Sequence, residues 1–322
     1  DLSLCQTKKG KTNQLVFGIM LVYFKEYIQF PSNKVSTIST QLLLQVAKHL
    51  DIDPIHISFE WNTRTVERYR QDIREYLGYR VANAGDVEFI INYLIDQLIP
   101  RYLSDSVLLE QVRAYFAKNK IEIVSAKQLE NYISLAKQRF EQQFLGQIFD
   151  SLSQDNLVLI DCMLDTDTSV NHGVIELFEL KKDIAGARLK NVQGAIDKIN
   201  LLKRIKLPNF ILDSVDRRLI LKYYDRVMAF VPSNILEFSP MTKYATMAIF
   251  CHIRLELLLD SLTDTMIKLI KKMRSGAEKK IATTLLCSTH LSIKLKCAIY
   301  SFGLSVNIGV NVLTSANLEG SM

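Results

Sequence analysis

The stretch Trp61-Asn62-Thr63-Arg64-Thr65-Val66-Glu67-Arg68-Tyr69-Arg70-Gln71-Asp72-Ile73-Arg74-Glu75-Tyr76-Leu77-Gly78-Tyr79-Arg80 decides the fold. It predicts one helix over about 63–77. Asn62 or Thr63 caps its start, because a short side-chain oxygen accepts a free amide of the first turn. Gly78 closes it, since glycine takes up the left-handed conformation common at helix ends. Val66, Tyr69, Ile73, Tyr76 and Leu77 recur mostly at steps of three and four and predict a single buried face. Arg64, Arg68, Arg70 and Arg74 then fall on the solvent side. A helix with a packed back and an arginine-bearing front has the shape that enters a DNA major groove. It is equally a solvated helix of mixed charge, because Glu67, Asp72 and Glu75 dilute the arginines.

Working outward, the chain predicts helix after helix. Residues 13–30 form an amphipathic helix ended by Pro31, and Ser36–Leu50 another, with Ile38, Leu42, Leu43, Val46 and Leu50 on one side. A short element over 54–60 leads into the motif, and Trp61, the only tryptophan, reads as a core anchor beneath it. Asp86 caps a helix carrying Val87, Ile90, Ile91, Leu94 and Leu98. Ser104 starts the next, with Leu108, Leu109, Val112 and Tyr115 or Phe116 buried. After a turn over 118–124, Ser125 and Gln128 form a capping box, each side chain satisfying the other's backbone amide. Leu129, Tyr132, Ile133, Ala136 and Phe140 are the buried stripe of that helix, leaving Lys127, Gln128, Asn131 and Lys137 outside. Helix, turn, capped helix is the layout of a helix-turn-helix and equally of an ordinary helical hairpin.

Residues 165–174 are polar and rich in turn formers, the best linker in the chain. Asp161, Asp165 and Asp167 lie close there, but without the spacing and glycine of a calcium loop they predict a solvated turn. The most basic part follows. Between Leu180 and Leu207, Lys181, Lys182, Arg188, Lys190, Lys198, Lys203, Arg204 and Lys206 stand against Asp183 and Asp197, a local balance of +6. Leu189, Val192, Ile196, Ile199 and Leu202 supply its apolar face. Such a helix tracks phosphates, adding affinity but little sequence readout, or is merely solvated. Ser214 caps a helix holding Leu219, Ile220, Tyr223 and Val227, and Ser239 and Pro240 open the last long helical region. Tyr244–Leu259 is strongly apolar, yet His252, Arg254 and Glu256 argue for a buried bundle helix and against a membrane span.

The 322 residues suffice for two or three domains, and the composition is that of a globular protein. The twelve glycines and six prolines leave room for long helices. The net charge of +6 fits a polyanionic partner without requiring one. Five scattered cysteines form no Cys-x-x-Cys pair, which fits a reducing cytoplasm without disulfides or a zinc site. At Cys251-His252 a packed cysteine stands beside a solvent or pocket histidine. No Gly-rich phosphate loop, Gly-x-Ser-x-Gly or His-Glu-x-x-His is present.

Arg64 to Arg80 resembles the "RT..RHR.EIR..LGFR" signature near the N-terminus of the Tn-three-type transposases, replicative DDE recombinases. Leu15-Val16-Phe17-Gly18 with Phe30-Pro31, Leu177 to Asp183, Leu207-Pro208, Tyr244-Ala245 and Phe250-Cys251 resemble further family segments in the same order. The family usually has a proline just before the glycine in the turn Asp183-Ile184-Ala185-Gly186, and its loss here should loosen that turn. The resemblance runs to about Leu286, beyond which residues 287–322 depart from the family, with no charged side chain over 297–318. Together with Asp1 in place of a methionine, this reads as a fragment or a recombined gene end.

The resemblance implies an all-α chain of serial helix-turn-helix-like modules and a helical bundle. The expected divisions are a first module at 1–82, a second at 83–164, a third with the bundle at 175–286, and a non-family tail at 287–322. It further implies recognition of double-stranded DNA, the transposon's terminal inverted repeats, during transposition and recombination in a bacterial, nucleoid-associated cytoplasmic setting. The expected DNA contacts are Arg64, Thr65, Arg68, Arg70, Arg74 and Arg80 in the first module, Lys127, Gln128 and Asn131 in the second, and Lys181, Lys182, Arg188, Lys190, Lys198 and Lys203 in the third. The family's acidic triad and its magnesium belong to a catalytic region this sequence lacks, so no cofactor and no strand cleavage are expected of it. A homodimer through regions outside this sequence is expected, and no membrane. Two other readings remain: a truncated regulator that occupies transposon ends, and a helical protein-interaction scaffold without a DNA role.

Overall fold

The computed structural model describes residues 2–31, 38–53, 63–165 and 174–301, and the chain there is all-α. Trp61, the element at 54–60, most of the linker and the last residues of the tail lie outside the described residues. The helices are α1 Leu2–Gln6, α2 Lys11–Tyr27, α3 Thr40–Leu50, α4 Arg64–Leu77 and α5 Ala84–Tyr93. Leu94–Leu98 continues α5 as a π-helical turn and Ile99–Arg101 as a 3₁₀ turn. Then come α6 Asp105–Lys118, α7 Ala126–Asp150, α8 Gln154–Leu164, α9 Leu177–Lys181 and α10 Leu189–Leu202. The series ends with α11 Asn209–Asp213, α12 Arg217–Ala229, α13 Pro232–Leu236 and α14 Pro240–Ser301. Two compact units emerge: residues 1–181 with 201–255, and residues 182–200 with 256–322.

The motif helix forms as its sequence demands. Thr63 Oγ1 accepts the Val66 amide, and Gly78 at φ 70° ends the helix, its amide bonded to the last carbonyls. Val66, Tyr69 and Ile73 are buried and Leu77 partly so, but Tyr76, at the edge of the stripe, is 51% exposed. α2 is apolar nearly all round from Leu15 to Leu21, and it is buried on two sides for that reason. Phe17, Met20 and Phe24 join Val66, Tyr69 and Ile73 in one core, with Phe17 and Tyr69 edge to face at 5.3 Å. Leu15 and Ile19 meet Val46, Ala47 and Ile52 in another.

α2 stops at Tyr27, before Pro31, because Ile28 adopts the left-handed conformation and returns its amide to Phe24. α3 begins at Thr40, later than expected, because the Ser39 hydroxyl accepts the Leu42 amide. The α5 cap is Asn83, with Asp86 as the third-residue partner of a full capping box. The Ser125–Gln128 box opens α7 as expected. Ser214 ends α11 rather than opening α12, whose cap is Asp216. Within the first unit α7 anchors the aromatic packing: Phe144 lies 5.9 Å from Tyr223, and Phe149 lies 6.0 Å from Tyr244. Asp161 is not in a solvated turn; it accepts from Lys243 Nζ at 2.8 Å and Tyr244 Oη at 2.7 Å, joining α8 to α14.

Arg254, 3% exposed, donates from Nε to Leu180 O at 2.7 Å and from Nη2 to Lys181 O at 3.1 Å. A cation there satisfies carbonyls that the end of α9 leaves open. Cys251 is fully packed and its thiol is pushed up to about 12 by burial, while His252 is half-buried. In α10, Val192, Ala195, Ile199 and Leu202 are buried, whereas Leu189 and Ile196 are exposed, so the apolar face is narrower than the spacing suggested.

The closeness of α2 to α3 depends on Gly18, where an added Cβ would come within 2.8 Å of Val46 Cγ1 and 3.3 Å of Leu50 Cδ1. Gly18→Val is therefore expected to cost about 1–3 kcal/mol of stability in urea unfolding, the usual penalty for overpacking. Gly276→Ala, in α14 with nothing near its Cβ position, is the contrasting control and should be neutral or mildly stabilising.

Candidate nucleic-acid interface

α4 turns its basic side outward in two tiers. Arg64, Thr65 and Arg68 are exposed in its first turns. Arg70 and Arg74 are half-buried, with side chains 21% and 18% exposed, and do not stand on a free solvent face. Both guanidinium groups lie 5.8 Å from the centre of the Phe30 ring. Arg70 donates to Glu67 at 2.7 Å, and Arg74 to Glu122 at 2.8 Å. Phe30, Glu122 and Asp86 were missed as neighbours of the arginines, since the arginine pattern itself carries no signal for partners so distant in sequence. Only the Phe30-Pro31 signature hinted at one of them.

A groove of about 560 Å³ lies along this side, lined in part by Phe30, Arg70, Arg74, Glu122, Ser125 and Gln128. It brings together arginines of the first expected set and Gln128 of the second. Gln128 Oε1 accepts from the Ser125 amide at 3.2 Å, so its carbonyl is held by the capping box. Lys127 and Asn131 are exposed on the same first turns of α7. Glu67 and Glu122 offset Arg70 and Arg74, so a phosphate entering the groove would compete with carboxylates already in place.

Arg80 is exposed and grips Asp86 with both terminal nitrogens, at 2.5 Å and 2.7 Å. The Arg80 guanidinium, with the Asn83 amide, holds the Asp86 carboxyl down to about 2. Lys181 is half-buried and donates to Phe230 O, and burial lowers its pKa. Lys203 is exposed just past α10 in the first unit. Lys182, Arg188, Lys190 and Lys198 lie in the second unit, the first three exposed and Lys198 half-buried with its Nζ on Lys182 O at 3.0 Å. There the turn before α10 rests on Gly186 at φ 131°, whose carbonyl accepts from Arg188 and Asn191. Among the described residues no group of three or more His, Cys, Asp or Glu side chains could hold a metal ion. Among them too, no helix is long and apolar enough to cross a membrane.

Exposed arginines on the packed helix α4 and further exposed cations on α7 and around α10 make up the basic surface of the described residues. Residues 1–136 match a family model described as a domain of unknown function, DUF4158. Over 283 residues, 87% of this chain, the sequence is 21% identical to the transposase of transposon Tn501 from Pseudomonas aeruginosa. The match covers 28% of that protein, so this chain spans little more than a quarter of its relative's length. Both similarities bear out the resemblance to the N-terminal domain of a transposase.

The Asp86 carboxyl is held below its ordinary range in the folded chain, so its contribution to stability is full above about pH 4 and is lost as pH falls toward 2. Asp86→Asn is expected to flatten the pH dependence of urea unfolding across that window and leave little difference in slope at neutral pH.

Proposed function

We propose that this chain binds transposon ends, reading terminal inverted repeats as the DNA-binding part of a transposase. The observation that supports the reading most directly is the presentation of Arg64 and Arg68 on the open side of α4, whose opposite side is packed against α2. Arginine makes paired bonds to guanine in the major groove, which gives Arg64 and Arg68 the sequence-reading role. Arg70 and Arg74, held by Phe30, Glu67 and Glu122, serve better as a preset edge than as freely reaching side chains. Lys127 and Asn131 on α7 provide a second contact set, and Lys190 and its neighbours a phosphate-tracking one. Sets of modest strength in series reach useful affinity, because the first contact raises the effective concentration of the next.

Fluorescence anisotropy across a salt series, with a duplex carrying the parent element's inverted repeat and a scrambled duplex, tests this. Tighter binding to the repeat is expected. Arg68→Ala should weaken that binding by roughly 5- to 150-fold, the equivalent of about 1–3 kcal/mol, and erode the preference. Lys190→Ala should weaken both duplexes alike and reduce the salt slope by about one. Equal binding to both duplexes would remove sequence reading, and no binding would leave a helical scaffold.

A further inference from the structure

We infer that a cavity on the first unit binds a nucleotide, its base against Tyr102 and Phe140 and its phosphate at Lys222. The cavity holds about 660 Å³, a size usual for small-molecule sites. Three parts of the chain wall it: the turn leading into α6, the middle of α7 and the start of α12. All three belong to the first unit. None of the lining residues is among those assigned to DNA contact, so the inference does not rest on the DNA-reading proposal. Leu108, Phe140, Leu219 and Tyr223 form a buried, apolar floor. The backbone that delivers Tyr102 is irregular. The π-helical turn Leu94–Leu98 runs into the 3₁₀ turn Ile99–Arg101, and Tyr102 follows at φ 53°. π-helical turns recur at functional sites, and the left-handed conformation is costly for a residue with a Cβ. The Tyr102 ring is left 40% exposed at the cavity wall, with the Arg218 guanidinium 5.6 Å from its centre. An open ring at a cavity wall is a stacking platform for a base.

The polar groups select the ligand. Lys137, Arg218 and Lys222 line the cavity together with Asp105 and Glu141. Most of these charges are already matched. Lys137 pairs with Asp105, Arg218 pairs with Asp216, and the Tyr223 hydroxyl donates to Glu141. Lys222 is exposed and has no carboxylate partner among the described residues. It is the cation free to take a phosphate, and a charge-assisted bond of that kind is a strong one. The carboxylates of Asp105 and Glu141 each keep acceptor capacity beyond their one partner. Sugar hydroxyls and an exocyclic amine are the donors that suit them. Aromatic walls, a free cation and open acceptors thus match the base, phosphate and donors of a nucleotide. A plain aryl phosphate would leave the acceptors unused. Two sources share this chemistry: a free nucleotide, and the unpaired last nucleotide of a DNA strand.

Titration calorimetry of the full chain with adenosine 5′-monophosphate, adenosine and phenyl phosphate is the test. Saturable binding of the monophosphate is expected, with adenosine and phenyl phosphate each weaker by roughly tenfold or more. Tyr102→Gly removes the ring and suits φ 53°, so it should keep the thermal midpoint while weakening the monophosphate roughly tenfold. Lys222→Ala should weaken the monophosphate about tenfold and leave adenosine unchanged. A second arm compares a blunt duplex with the same duplex carrying one unpaired 3′ nucleotide. A preference for the overhang that Tyr102→Gly abolishes assigns the site to a strand end. Equal binding of the two duplexes, or of neither, with the monophosphate bound, assigns it to a free nucleotide, and the second of these would sink the DNA-reading proposal alone. No saturable monophosphate binding together with no overhang preference would overturn the inference. So would phenyl phosphate bound as tightly as the monophosphate, or monophosphate binding indifferent to both substitutions.

Discussion

The short extended segment Lys120–Ile123 is the constraint on which the candidate interface depends. Lys120 adopts a left-handed conformation that turns the chain out of α6. The next residues run alongside two distant parts of the chain. The Arg80 amide donates to Lys120 O at 3.0 Å, the Glu122 amide to Arg80 O at 2.8 Å, and the Ile123 amide to Ile28 O at 2.8 Å. Ile121 and Ile123 are buried beneath. Each backbone bond contributes only about 1 kcal/mol net, but breaking one without replacement strands a polar group, so the three act together. The end of α2, the residues after α4 and the lead into α7 are thereby set against one another. Glu122, placed by the same segment, receives Arg74.

This arrangement explains why α4 presents two kinds of arginine. Arg70 and Arg74 face the wall that Phe30 and Glu122 build, and are partly withdrawn from water. Arg64 and Arg68 lie nearer the start of α4 and remain exposed. In the proposed DNA-reading role, a fixed edge beside two reaching side chains would lose less conformational freedom on binding, because its surroundings are already set. The same segment delivers the chain to Ser125, so the first turns of α7 with Lys127 and Asn131 are held relative to α4 by backbone bonds rather than by a tether. The boundary expected near residue 82 is crossed by these bonds.

Local rules in the sequence foretold what local physics controls. The Thr63 cap, the Gly78 terminus and the Ser125–Gln128 box all depend on residues within a few positions of one another, and all formed. Where two residues compete for one role, spacing alone does not choose. Asn83 took the cap expected of Asp86, and Asp216 the one expected of Ser214. Features set by tertiary neighbours were illegible. Nothing in 64–80 tells that Glu122 will arrive beside Arg74, that Tyr76 will stay half exposed, or that Ile28 will stop its helix before Pro31. Arg254 was read only as evidence against a membrane span, and its role at the end of α9 became visible once the fold brought Leu180 near it. The candidate site was thus legible in residue type and helix, but the division between held and reaching arginines was not.

Native-state hydrogen exchange at the amides of Arg80, Glu122 and Ile123 tests the central constraint most directly. If the segment holds α2, α4 and α7 as one body, those amides should exchange only in the opening that also releases the core amide of Ile73, with matching denaturant dependence. Exchange of Glu122 and Ile123 through a separate, low-energy opening, while Ile73 stays protected, would show that the segment peels away on its own and that α4 and α7 are joined loosely.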